Sequence, residues 1–192
     1  MIRDYRPDPV DREVLDRMLD QARRVPTAGF TQGSDFVVLE GADTEIFWRH
    51  TLPIDERANF RWPGLLRAPV IVLPLADADA YLDRYSEPDK AKAGLGESVD
   101  AWPVPYWYID TGMAAMALLY AVVNEGLGAL FFGIFRNERA LLDELGVPAG
   151  KRPIGAIALG HPTEEAQAVS KEGSPSRRTR RDLAETVHYG HW

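Results

Sequence analysis

Two arginines stand ahead of the first helical pattern, at Arg3 and Arg6, and two more lie near the end of the chain, at Arg178 and Arg180. A guanidinium presents a rigid fork of donors, the side-chain group best matched to phosphate oxygens. Between these pairs, Pro26-Thr27-Ala28-Gly29-Phe30-Thr31-Gln32-Gly33 gathers hydroxyls, an amide and small residues in one short stretch. A stretch of that kind lets a planar ligand approach the backbone closely. Together the segments suit a phosphorylated, planar cofactor. Singly, each has an ordinary reading as well: the loop as a tight helix-to-strand connection, the basic run as a solvated tail.

The familiar catalytic signatures are missing. There is no Walker phosphate loop, no G-x-S-x-G elbow and no H-E-x-x-H. Gly126-x-Gly128 lacks a third glycine in its place and follows a helical pattern, so it is no dinucleotide fingerprint. His188 and His191 stand one helical turn apart without a third ligand, and His50 and His161 are isolated, so no metal site is assigned. Asp77/Asp79 and Glu164/Glu165 read as acids of solvated loops. No residue is assigned as an acid, a base or a nucleophile. The chain contains no cysteine, which removes disulfides, thiolate zinc sites and cysteine nucleophiles and fits a cytoplasmic protein.

The elements that must position these segments follow from periodicity. The 192 residues suit one domain with an arm. Asp11 is a good N-cap, Val10 and Leu15 form a hydrophobic staple, and an apolar stripe continues to Val25, where Pro26 ends the helix. Phe36–Leu39 and Ala68–Ala76 read as strands, Asp79–Tyr85 as a short helix. Tyr106–Glu125 reads as a long helix, apolar on nearly every side and therefore buried almost all round, inside one subunit or shared with a second. Ala129–Phe132 and Ile154–Leu159 are further strands, with a short helix at Glu138–Leu145 between them. Helices and strands mix without regular alternation, which predicts an α+β fold.

A net charge of -7 argues against a nucleic-acid partner, and the longest strongly apolar run, Met113–Val123, is too short for a membrane span. The charge is uneven. Residues 170–181 (SKEGSPSRRTRR) carry five basic residues against one acid, +4, leaving the remainder at -11. Apolar residues resume after this run, up to the terminal Trp192, so the tail is expected to dock on something.

In order along the chain, these segments resemble those of the FMN-dependent nitroreductase family. Arg3-x-Tyr5-Arg6-Pro7 through Val10 resembles the family's opening, and Pro26-Thr27-Ala28-Gly29-x-Thr31-Gln32 its P-S-A-x-N-x-Q-P-W loop. Ile109-Asp110-Thr111-Gly112-Met113-Ala114-Ala115 with Glu125-Gly126-Leu127-Gly128 is similar to its central helix motif, Pro153–Pro162 to its last core strand, and Arg178–His188 to its C-terminal arm. No one motif is specific; five in the right order are.

The resemblance implies an α+β sandwich with a central, mostly antiparallel sheet flanked by helices and a long buried central helix. Residues 1–169 would form the FMN-binding domain and 170–192 an arm packing on the partner of a homodimer, with FMN at the subunit interface. By matching positions, Arg3 would lie beside the flavin pyrimidine edge. Pro26, Thr27, Ala28 and Gln32 would line the cofactor, Phe132 and Gly133 would present backbone to the flavin ring, and Arg178 and Arg180 would hold the phosphate. The activity implied is two-electron transfer from NADH or NADPH to nitroaromatic, quinone or similar small acceptors. The alternatives are a non-catalytic flavin-holding protein on the same fold, or a deazaflavin donor.

Departures are visible. The family's Arg-rich pair ahead of Arg3 has no counterpart, so either the chain starts further upstream or Arg178 and Arg180 carry more of the phosphate binding. Phe30 stands for the loop's asparagine, and Gly33-Ser34 for Pro-Trp. Trp102-Pro-Val-Pro-Tyr106-Trp107-Tyr108 reads either as an aromatic lid over the flavin or as core packing at a helix entrance.

Overall fold

Strand β2 (Val70–Asp77) is apolar along almost its whole length because both of its faces are covered. Val70 and Val72 point to one side, where Ile157 and Leu159 join them under helices α1 (Arg12–Ala22) and α4 (Tyr106–Asn124). Ile71, Leu73 and Leu75 point to the other, where Leu39, Leu130, Ala156 and Ala158 pack with Tyr5 and with helices α2 (Thr44–Thr51) and α5 (Glu138–Glu144). The result is an α/β/α sandwich of α+β type, in a computed structural model that describes residues 1–169 and 178–192. The sheet runs β1 (Ser34–Glu40), β2, β5 (Ala156–Gly160), β3 (Gly128–Phe132), and β4 (Lys151–Pro153) also pairs with β2. All the described strand pairings are antiparallel.

The strand expected at Ile154–Leu159 is β5, which starts only at Ala156; Ile154-Gly155 instead breaks the chain between β5 and β4, a short strand that was not expected. Gly155 takes φ 148°, and a Cβ there would lie 2.7 Å from the Phe132 carbonyl oxygen, so the chain can turn here only without a side chain. Helix α1 starts as expected: the Asp11 carboxylate accepts from the Glu13 and Val14 amides at 2.8 and 3.2 Å, a cap worth about 1 kcal/mol. Asp77 is not a solvated loop acid. It ends β2, caps helix α3 (Ala78–Ser86) through the Ala80 amide at 3.2 Å and pairs with Lys151 at 2.9 Å. Its carboxyl is held below its ordinary range: the Lys151 and backbone hydrogen bonds together outweigh desolvation, the largest single influence. Glu164 and Glu165 open a short helix, α6 (Glu164–Val169), that periodicity did not suggest.

Of the two readings of α4, burial wholly inside one subunit does not hold: the single chain covers one face only. Ala115, Leu118, Ala121 and Val122 pack with α1 and the sheet, and Asp110, Thr111 and Ala114 are buried beside them, while Ile109, Met113, Met116, Tyr120 and Val123 are exposed, Tyr120 to 67%. By length and composition alone α4 could cross a membrane, but one face of it is core.

The N-terminal segment reaches its place through Tyr5, which is fully buried. Its hydroxyl shares a proton between the carbonyls of Ile2 and Ala158, at 3.0 and 3.1 Å. The Ile2 amide donates to Ala129 at 3.0 Å and the Arg6 amide to His161 at 2.8 Å. Arg67 pairs with Asp4 and donates to the Tyr5 carbonyl at 3.0 Å. Burial raises the Tyr5 phenol above its ordinary range, the positive charge of Arg3 opposing it only in part. This anchoring fixes where Arg3 emerges.

Candidate functional site

Arg3 emerges into a cleft of about 410 Å³ whose walls are largely aromatic. Phe47, Trp48 and Phe132 form its back. The Trp48 indole stacks parallel to Phe132, with centroids 6.1 Å apart, and Phe47 meets both rings edge-on. Phe60 and Trp62 form a further wall, edge to face at 6.0 Å. Three charged side chains line the cleft. Arg136 and Glu56 pair across it, with Nη1 donating to the carboxylate oxygens at 2.7 and 2.6 Å. Arg3 pairs with no acid among the described residues; its guanidinium carbon lies 5.2 Å from the centroid of Trp62, as does that of Arg61. A flat cleft of aromatic rings with one unpaired cation suits a planar, electron-rich or anionic ligand. The buried Trp48 Nε1 has no hydrogen-bond partner among the described residues.

Phe132 and Gly133, at the C-terminal end of β3, line the same cleft as Arg3. The Phe135 ring, 91% exposed, folds back over Gly133, where a Cβ would meet it at 2.5 Å. Backbone contact at Gly133 therefore requires that ring to swing aside, which an exposed side chain does readily.

The 26–33 loop is elsewhere. It leads into β1 at one edge of the sheet, whereas Gly133 follows β3 at the other edge, at the same end of the strands. Three strand spacings, about 14 Å, separate them. One chain thus brings Arg3, Phe132 and Gly133 together and leaves Pro26, Thr27, Ala28 and Gln32 outside that cleft.

Within the loop the backbone is unusual. Gly29, Phe30 and Gln32 all take left-handed conformations, at φ 64°, 57° and 58°. The Thr27 hydroxyl accepts from the Gln32 amide at 3.0 Å, and the Thr31 hydroxyl donates to the Ala28 carbonyl at 2.6 Å. From outside, the Asp110 carboxylate accepts the Ala28 amide at 2.7 Å and Arg84 Nε donates to the Gly29 carbonyl at 2.8 Å. Sequence reasoning missed both contributors; the available signal was an acid within an otherwise uncharged apolar helix.

Phe30 is an expensive residue in that backbone. The left-handed region costs an ordinary L-residue about 1 to 2 kcal/mol, and asparagine tolerates it far better. Because the ring is 75% exposed, Phe30→Asn is expected to stabilise the isolated chain by about 1 kcal/mol. Urea denaturation checks this; an unchanged or lower midpoint would show that packing by the ring offsets the strain.

Arg178 and Arg180 lie in a C-terminal segment that is exposed throughout residues 178–192, and neither lines the cleft. Residues 170–177, most of the basic run, fall outside the described residues. His188 stacks on Trp192, centroids 4.1 Å apart. Of the two readings of the aromatic segment, core packing holds. Trp102 and Trp107 are buried with Tyr81, and Trp102 Nε1 donates to the Leu95 carbonyl at 2.8 Å. Of its aromatic residues, only Tyr106 and Tyr108 reach the surface.

Comparison with known proteins gives the chain a family. It is 31% identical over 195 residues to an NADH dehydrogenase of Thermus thermophilus, spanning 92% of this chain and 86% of that protein. It is 25% identical over 166 residues to the FMN reductase (NAD(P)H) of Bacillus subtilis, spanning 86% of this chain and 63%, under two thirds, of that relative. A crystal structure of a nitroreductase from Desulfovibrio desulfuricans in complex with FMN superposes with a TM-score of 0.66 at 26% identity, over 97% of this chain and 88% of that one. The family model for the nitroreductase family matches residues 1–161, and the chain belongs to that family.

Proposed function

We propose that this protein is an FMN-dependent oxidoreductase that moves two electrons from NADH or NADPH to small, planar, electron-poor acceptors such as nitroaromatics and quinones, and that it acts as a cytoplasmic homodimer. The observation that carries the reading is the unpaired Arg3 guanidinium in an aromatic cleft that ends at the Phe132-Gly133 backbone. When bound, FMN supplies the redox chemistry, accepting hydride equivalents from the nicotinamide and passing them to the acceptor. Arg3 holds a positive charge at the pyrimidine edge, which favours an anionic reduced flavin. Phe132 and Gly133 offer main chain to the ring, and Arg178 and Arg180 offer guanidinium forks to the phosphate. No side chain needs to act as acid, base or nucleophile, in keeping with the lack of such a constellation in the sequence.

The division of the proposed site supports the dimer. Arg3 with Phe132-Gly133, and Pro26–Gln32, sit at opposite sheet edges, and a second copy would face one set with the other if both line the flavin. The exposed apolar side chains of α4, from Ile109 to Val123, supply a surface for it.

Purified protein is expected to be yellow, with visible absorption that bleaches under NADH or NADPH and returns on adding a quinone. Colourless protein that takes up no added FMN overturns the reading. A second reading, a flavin-holding protein without turnover, draws on the Phe135 ring over Gly133 and on Phe30 in the loop; FMN that binds but is reduced by neither nicotinamide would favour it.

A further inference from the structure

Asp110 is the single charged residue of α4 and is 99% buried, at 1% exposure. No cation pairs with it among the described residues. Its Oδ2 accepts two hydrogen bonds instead, from the Ala28 amide at 2.7 Å and from the fully buried Tyr81 hydroxyl at 2.6 Å. A buried polar group is costly unless it is hydrogen-bonded, and these two short contacts are what satisfy this carboxyl. The loop it holds carries three left-handed residues, two of them not glycine. Such a conformation persists only where the surroundings over-determine it, and such places cluster at functional sites.

We propose that Asp110 is a positioning residue for the cofactor, rigidifying the 26–32 loop in the shape that meets FMN. The assignment rests on the reading above, in which this loop lines the flavin. Asp110 fixes the N–H of Ala28 on one flank of the loop, and Arg84 fixes the Gly29 carbonyl on the other. Arg84 is itself held by Asp89, which receives both of its terminal nitrogens at 2.8 Å. The loop is thus clamped from α4 and α3 before any ligand arrives, so the ordering cost is met in folding and not in binding.

The test compares FMN titration of the apo-protein, amide hydrogen exchange at Ala28 and thermal melting in four variants. Asp110→Ala removes the acceptor and is expected to speed Ala28 exchange and to weaken FMN binding about tenfold, whereas Asp110→Asn, whose amide oxygen can take the same two bonds, stays within about threefold of the wild type. Tyr81→Phe keeps the loop contact, so it should lower the melting temperature with FMN affinity unchanged. Arg84→Ala, at the surface, keeps the test open if Asp110→Ala does not fold, and should weaken FMN about threefold by freeing the other flank. Wild-type protein that binds FMN, with folded Asp110→Ala or Arg84→Ala binding it equally tightly, overturns the assignment alone. Wild-type protein that binds no FMN overturns the cofactor reading, and the assignment with it.

Discussion

Met116→Asp combined with Tyr120→Asp is expected to turn the proposed homodimer into a monomer that no longer retains FMN. Both side chains stand on the exposed face of α4, at 45% and 67% exposure, so the fold of one chain does not depend on them. In a two-fold interface each residue appears twice, and the double variant would bury four carboxylates among apolar groups. An uncompensated buried charge costs several kcal/mol, and a loss of about 4 kcal/mol already weakens association about a thousandfold. In the proposed dimer, separating the chains would leave Arg3 and Phe132-Gly133 without a facing Pro26–Gln32 loop, since a chain's own loop lies at the far edge of its sheet. Sedimentation velocity and the ratio of flavin to protein read both effects. A variant that stays dimeric and yellow would move the interface off α4; one that is monomeric and still yellow would show the site complete within a single chain.

The second large effect is expected from Arg178→Ala with Arg180→Ala. Both side chains are exposed and the segment from 178 to 192 packs none of its residues into the core, so thermal melting should barely change. If they hold the FMN phosphate, each lost contact to a charged group is worth about 1.5 to 3 kcal/mol, and the pair should weaken FMN binding at least a hundredfold. Titration with riboflavin supplies the control, since it lacks the phosphate and should bind both proteins alike. Unchanged FMN affinity would return the basic run to a solvated tail. A parallel loss for riboflavin would show that the arginines act on the ring or on the arm's placement and not on the phosphate.

Much of the molecule was legible before any coordinates. Asp11 and the apolar stripe from Val14 announced α1, although the helix ends at Ala22, before Val25, and the unbroken apolar run of β2 announced a strand, because burial pattern is a local property written in successive residues. The break of the last strand at Gly155 was not legible: it depends on how close the Phe132 carbonyl comes from another strand. The apolar surface of α4 left two readings open for a related reason. Composition says that a face avoids water, not whether its own chain or another covers it, and here half of the helix waits outside the single chain.

The sequence by itself determined the family, the cofactor chemistry to look for and the candidate segments, since motif order and residue type survive without geometry. Only the tertiary structure decided which segments share a site. The sheet order β1-β2-β5-β3 puts Phe132 beside Arg3 and carries the 26–33 loop to the opposite edge. That order is set by pairings between strands far apart in the chain, on which periodicity is silent. Asp110 shows the same limit at one residue. Its type marked it as odd in an apolar helix, but its partner is an amide 82 positions away, brought to it by the packing of α4 against β1 and β2.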